Sequence, residues 1–366
     1  MKYPLLLLLS LSATLVCSAK PRAKNVILFL GDAGGIPTLN AASLYGHNRA
    51  QSLFIQQMPH IALSDTSALD KWVTDSAAGM TAIVTGKKTN NAMLSVLPGT
   101  GPGELRPLKT ILEYAEQRGL STGVVTNMPI WDATPAACYA HVGARSMAGE
   151  IFGQLLQPRF GDGVDVVVGR DWKKVVEASA KLDVDAAAAL KKAGYQFYDA
   201  PGAIPADARR VASIYDGSDF TPAPVVANVL RILGRNPKGF FLMVEWDMHT
   251  DNLEKGLKRV LVMDDMIRQV AAAAPPDTLI IYAADHSFGA SLVGGTTDKP
   301  VAEQLLVADP DQKSSAKPVY RVNGGHTGEE ILVAAQGPGA ARLHGFIPNT
   351  GIFHLMMEAY GWKETP

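Results

Sequence analysis

Six stretches of the chain are continuous apolar runs: NVILFLGD (25–32), STGVVTN (121–127), VDVVVGR (164–170), FFLMVEWD (240–247), TLIIYAAD (278–285) and EILVAAQG (330–337). A strand with one face in water alternates apolar and polar residues. Unbroken runs of Val, Ile, Leu and Phe belong instead to strands covered on both faces, so all six are expected to be parallel strands. Between them the period changes to that of a helix. In PLKTILEYAEQRG, Leu108, Ile111, Leu112 and Ala115 share one face, with Pro107 at the predicted start and Gly119 past the end. Residues 253–273 set Leu257, Val260, Met263, Ile267 and Val270 at similar spacing. This alternation predicts a doubly wound α/β fold: a mostly parallel central sheet with helices on both faces. Residues 171–222 have no legible period and are expected to decorate the sheet's edge.

The 366 residues are 47% hydrophobic and 19% charged, with a formal net charge of −1. Such a chain is long enough for one large α/β domain or two smaller ones. No Lys/Arg stripe supplies a nucleic-acid footprint, so nucleic acid is not expected as a partner. Residues 1–19, MKYPLLLLLSLSATLVCSA, combine an early Lys, an apolar run too short for a bilayer and small residues at Cys17, Ser18 and Ala19. They read as a secretory signal peptide cleaved near Ala19, which sends the mature chain to the periplasm or outside. After cleavage Cys138 is the sole cysteine, so no intrachain disulfide is expected, and no later run reaches transmembrane length. The Gly/Pro-rich 97–107 and the polar 310–318 read as loops.

Candidate chemistry gathers where the strands end. Asp32 closes the first run, Glu245 and Asp247 another, and Asp285 with His286 a further one; His326 lies just before the last. In open α/β sheets functional groups collect beyond the carboxyl ends of strands. Massed carboxylates repel and need protons or cations between them, and mixed Asp/Glu/His sets suit Zn²⁺ or Mg²⁺. A second group is TDSAAG (74–79), where Ser76 is followed by small residues that let backbone approach a ligand. A helix starting at Ser76 would turn its amides toward an anion, and Ser76 is then either a nucleophile or part of a Ser/Asp cap. In WDATPAACYAHVGAR, Asp132 and Thr134 offer oxygen ligands and Arg145 a planar fork suited to phosphate.

Taken together and in order, NVILFLGDAGG, TDSAAGMTAIVTGKKT, DATPAACYAHVGAR, KGFFLMVE, ADHS and HTGEEILVAAQGPGA resemble the alkaline phosphatase family. The resemblance runs through nearly the whole mature chain. It implies one alkaline phosphatase-like catalytic domain over 20–366, acting as a secreted metal-dependent phosphatase that hydrolyses phosphate monoesters through a phosphoserine. Position by position, it implies Ser76 as nucleophile and Arg145 as phosphate clamp. Asp32, Asp285 and His286 would hold the zinc that activates Ser76, with Asp32 bridging to magnesium. Asp132, Thr134 and Glu245 would complete the magnesium site, and His326 would serve a second zinc. The implied cofactors are two Zn²⁺ and one Mg²⁺, and the implied partners are small phosphomonoesters and inorganic phosphate. A homodimer is an assembly the resemblance allows. The alternatives are a phosphodiesterase or phosphonate hydrolase on the same scaffold, and a non-catalytic phosphate- or metal-binding relative.

One departure bears on the site. The family pattern puts an Asp five residues and a His nine residues after the position of Glu245, where this chain has Thr250 and Glu254. A three-residue deletion restores the register and aligns Asp247 and Asp251 with that pair. If a helix begins near Asp247, residues 247 and 251 share a face and His249 leaves it; in an extended segment 245, 247, 249 and 251 share a face. The four-residue spacing favours the helical reading, in which Asp247, Asp251 and His326 hold the leaving-group metal and His249 lies outside. Asp in place of His would weaken zinc preference relative to Mg²⁺, Mn²⁺ or Ca²⁺, which leaves the ion at that site open.

Overall fold

A computed structural model describes residues 22–101, 103–305 and 319–364; residues 1–19, expected as a signal peptide, and 310–318, expected as a loop, lie outside the described residues. Ten strands form the central sheet: β1 (Asn25–Asp32), β2 (His60–Ser64), β3 (Ser121–Pro129), β4 (Val166–Arg170), β5 (Gln196–Tyr198), β6 (Val211–Tyr215), β7 (Phe240–Asp247), β8 (Thr278–Ala283), β9 (Ile331–Gln336) and β10 (Gly345–Ile347). They lie side by side in the order β10-β2-β9-β8-β1-β7-β3-β4-β6-β5. β2 falls on one side of β1 and β3 on the other, so the strand order switches at β1, where a crevice opens beyond the carboxyl ends.

Every neighbouring pair is parallel except those made by β9, which runs antiparallel to β8 and to β2. The expectation that 330–337 is a parallel strand is therefore corrected. A continuous apolar run records cover on both faces and carries no direction. Here the chain leaves β8, forms a two-stranded hairpin from Ser287–Leu292 and Tyr320–Thr327, and re-enters the sheet from the same edge after a short link. A link that short can only return antiparallel.

Side chains alternate across the sheet and sort two cores. Val26, Leu28 and Leu30 of β1 and Phe241 and Met243 of β7 join one core, which includes helices Ser76–Thr85 and Thr350–Tyr360. Ile27, Phe29, Leu242, Val244 and Trp246 join the other, under helices Ile36–His47, Pro222–Leu233 and Leu253–Ala273. By the same period of two, Asp32, Glu245 and Asp247 fall on the face covered by the Ser76–Thr85 helix. Pairing register sets Asp32 beside Asp247 and Glu245 beside Thr126.

The helix predicted from Pro107 begins instead at Ile111. Thr110 caps it: its hydroxyl accepts from the Glu113 amide at 3.1 Å, while the Glu113 carboxylate accepts from the Thr110 amide at 3.0 Å. That reciprocal box fixes the start more strongly than an upstream proline. Pro107 lies in a short strand, Leu105–Pro107, paired antiparallel with Val96–Pro98, so the segment expected as a loop carries a two-stranded pair. Residues 171–222 supply helices Trp172–Ala180 and Ala186–Lys192 and extend the sheet's edge with β5 and β6. The helix over Leu253–Ala273 has the predicted bounds. No helix among the described residues is long and apolar enough to cross a membrane.

Candidate metal centre and active site

Ser76 opens the helix Ser76–Thr85, and Asp75 is its cap, accepting from the Ala78 amide at 3.0 Å. Asp75 thus takes the capping task and leaves the Ser76 hydroxyl for another partner. Ser76 is buried, with Oγ 3.2 Å from His286 Nε2. The helix comes this close because residue 79 is glycine: a Cβ there would stand 2.5 Å from the Asp285 carbonyl oxygen.

Asp285 and His286 follow β8 after Ala284, and His286 leads into the Ser287–Leu292 strand. His326 sits on the opposite strand, paired with Phe288, and its ring stacks on His286 at 3.6 Å and 19°. His249, two residues past β7, lies with its ring 5.7 Å from that of His286 and 5.8 Å from that of His326. Ligand atoms of His249, His286 and His326 lie within 4.8 Å of one another, as do those of Asp32, Asp285 and His286. His286 belongs to both groups.

The hydrogen-bonding pattern turns these atoms inward. His286 Nδ1 is 3.0 Å from the Ser287 carbonyl oxygen and His326 Nδ1 is 3.0 Å from that of Thr74. A carbonyl only accepts, so each neutral ring carries its hydrogen on Nδ1 and turns the Nε2 lone pair away. His286 Nε2 then faces Asp32 Oδ1 at 3.2 Å, a spacing that calls for a shared proton or a cation; against the effect of burial, Asp285 and Asp32 raise His286. Asp32 Oδ1, Asp285 Oδ2 and the Thr134 hydroxyl are buried without a hydrogen-bond partner among the described residues. Each such orphan costs roughly 1–3 kcal/mol, more when charged, unless something supplies the missing contact. Cations held between these donors would satisfy all of them, so the residues fit metal.

The carboxyls respond to one another in the same sense. Burial alone would raise Asp32, but His286, His249 and Arg145 together hold it well below the usual carboxylate range. Burial, then repulsion from Asp32, pushes Glu245 far above its ordinary value and lifts Asp285 to about 6. Three carboxyls cannot all ionise here without added positive charge. Burial opposes protonation of His249, yet its bond to Asp247 and the charges of Asp32 and Asp285 raise it to about 9.

Arg145 spans two acids of the site, giving Nη2 to Asp132 Oδ1 at 2.7 Å and Nη1 to Asp75 Oδ2 at 3.3 Å. Asp132 also caps the short helix Ala133–Ala136, which packs on β3 and β7 and carries buried Thr134. Asp132 adds to the repulsion felt by Glu245, whose carboxylate accepts from the Thr126 hydroxyl.

Asp32, Ser76, Asp132, Arg145, Glu245, Asp247, Asp285, His286 and His326 are thus linked into one constellation, with Thr134 beside it. Asp251 is not. β7 stays extended through Asp247, and the next helix starts only at Leu253, where the Asn252 side chain accepts from the Lys255 amide at 3.1 Å. The expected helix near Asp247 is therefore absent, and the four-residue argument for Asp251 goes with it. Past the strand, Asp247 Oδ1 accepts from the His249 amide at 3.0 Å and stands 2.8 Å from His249 Nδ1, which holds His249 at the site, while Asp251 lies exposed at the bend. Sequence reasoning also passed over Asp75 as the anchor of Arg145, Thr126 as the partner of Glu245, and Asn127, whose Oδ1 accepts from the Asp247 amide at 2.9 Å. The last two end an apolar strand at the same edge, and that position was the available signal.

The alkaline phosphatase family's profile matches residues 23–166 and 218–323. Alkaline phosphatase H of Pseudomonas aeruginosa is 28% identical over 94% of this chain and 87% of its own length. Alkaline phosphatase of Escherichia coli is 29% identical over 94% and 88%. Among solved structures, a TAB5 alkaline phosphatase mutant with bound Mg superposes with a TM-score of 0.79 at 25% identity, over 94% of this chain and all of the other. With most of the chain matched, and a centre of acids, imidazoles and a capped serine at the sheet's switch point, the chain belongs to the alkaline phosphatase family and has a phosphatase's scaffold.

Proposed function

We propose that the protein is an exported, metal-dependent phosphomonoesterase that works through a phosphoserine at Ser76. The observation that carries this reading is the placement of Ser76: first residue of a capped helix, buried, 3.2 Å from His286 Nε2 and flanked by Asp75, which holds Arg145. Asp32, Asp285 and His286 would hold one zinc, Asp247, His249 and His326 another, and Asp32, Asp132, Thr134 and Glu245 a magnesium. Two imidazoles in the second set favour zinc, which withdraws the preference for harder ions that Asp251 would have brought. Metal bound there supplies Lewis acidity toward the attacking and leaving oxygens and lowers the pKa of the Ser76 hydroxyl.

The chain's own groups do the rest. Ser76 Oγ bonds to phosphorus as the bond to the leaving oxygen breaks; its proton goes to solvent, and the leaving oxygen is protonated from water. Water then attacks phosphorus, the Oγ–P bond breaks, and Ser76 regains a proton as phosphate departs. The amides of the Ser76–Thr85 helix and the Arg145 guanidinium would balance charge on the equatorial oxygens. Residues 1–19 would deliver the mature chain to the periplasm or outside. The test is turnover of a simple aryl monoester by the mature protein: stripping metal with a chelator should abolish it, and Zn²⁺ with Mg²⁺ should restore it. Turnover that survives chelation contradicts the reading.

Arg145 gives the reading its preference for monoesters: the N–H groups it does not spend on Asp132 and Asp75 would pair with a dianionic group. Arg145→Ala is expected to cost on the order of 2–4 kcal/mol of transition-state stabilisation on a monoester. Phosphate inhibition should weaken in parallel, and diester hydrolysis should change far less. Equal losses of kcat/KM on both esters would remove Arg145 from this role.

A further inference from the structure

Arg259 is a buried cation that none of the steps above uses. It lies in the second turn of the Leu253–Ala273 helix, with its side chain 8% exposed. A guanidinium leaves water at a cost of several kcal/mol unless acceptors replace the solvent. Two carboxylates do so. Asp219 takes a fork, from Nε at 2.8 Å and Nη2 at 3.0 Å, and Nη1 donates to Asp247 Oδ2. Asp219 in turn has Arg170 Nη1 3.8 Å from its Oδ1.

This arrangement divides the labour of Asp247. Its Oδ2 is bound to Arg259 on the side of a cavity of about 480 Å³ lined by Asp219, Phe220, Trp246 and Arg259. Its Oδ1 faces the other way, 2.8 Å from His249 Nδ1 and 3.0 Å from the His249 amide. Its own amide is held by Asn127. A free aspartate would turn about its side-chain torsions and could offer either oxygen or both. With Oδ2 tied to a guanidinium that Asp219 locks in plane, Oδ1 is the oxygen turned toward His249.

Resting on the proposed metal centre, we infer that Arg259, oriented by Asp219, is a positioning residue that fixes Asp247 to present a single oxygen to the site it shares with His249 and His326. The relay joins three separate elements: the segment before the Pro222–Leu233 helix, the Leu253–Ala273 helix and the end of β7. Partners standing behind a metal ligand commonly govern affinity by 10–100-fold when removed.

The test is equilibrium dialysis of the mature protein against buffered Zn²⁺, with bound metal counted at each free concentration and thermal melts taken in parallel. In Arg259→Gln, one bound equivalent should weaken by about 10–100-fold while the remaining equivalents keep their affinity. Asp219→Asn should weaken the same equivalent by less, and Arg259→Lys, which keeps charge but loses the fork, should fall between wild type and Arg259→Gln. If Arg259→Gln does not fold, Asp219→Asn and Arg259→Lys decide the matter by the same readout. Unchanged affinity for every equivalent in folded variants, even with a lower Tm, would reduce Arg259 to a structural ion pair and overturn the inference alone. A wild-type protein that binds no metal would overturn both this inference and the proposed centre.

Discussion

His249→Ala is expected to remove one bound metal and nearly all activity, whereas Asp251→Ala should keep both. His249 stands with its ring within 6 Å of His286 and His326 and with Nδ1 against Asp247, while Asp251 lies exposed beyond the bend. Losing one of the three proposed ligands would remove a coordinating atom and leave Asp247 Oδ1 without its imidazole. Metal counting by mass spectrometry or atomic emission on dialysed protein separates the two variants. The opposite pattern, with Asp251→Ala emptying the site and His249→Ala filled, would mean that the chain beyond β7 takes a helical register in solution.

Ser76→Ala should lower monoester turnover by at least about three orders of magnitude, because the covalent route closes and only uncatalysed water attack within the site remains. Metal content should not fall with it: Asp and His residues supply three ligand atoms to each group without Ser76, and the helix cap is Asp75. Single-turnover kinetics on metal-replete variant protein checks this. A loss of less than about tenfold would place the nucleophile elsewhere.

Much of this was legible in the chain because the deciding physics is local. β1 and β7 have the bounds their apolar runs predict, and burial on both faces is written into those runs. The clustering of acids at strand ends, and Asp75 ahead of a small-residue helix, are likewise local. What escaped depends on partners far away in sequence. The reversal of β9 is set by the hairpin before it. β2, β5 and β10 are short and partly exposed, so they carry little apolar signal. The register after β7 turned on a choice between two periods that four residues cannot make. Asn252 ahead of Leu253 was a readable cap signal for the later helix start. The Arg259–Asp219 pair spans 40 positions, and no spacing rule reaches it.

The most direct measurement is a covalent trap. Metal-replete mature protein is mixed with a monoester carrying labelled phosphate, quenched in acid, digested and sequenced by mass spectrometry. Label is expected on the peptide containing Ser76, esterified to its hydroxyl, and none in Ser76→Ala. Full turnover of the labelled ester with no phosphate on that peptide, together with undiminished activity in Ser76→Ala, would contradict it.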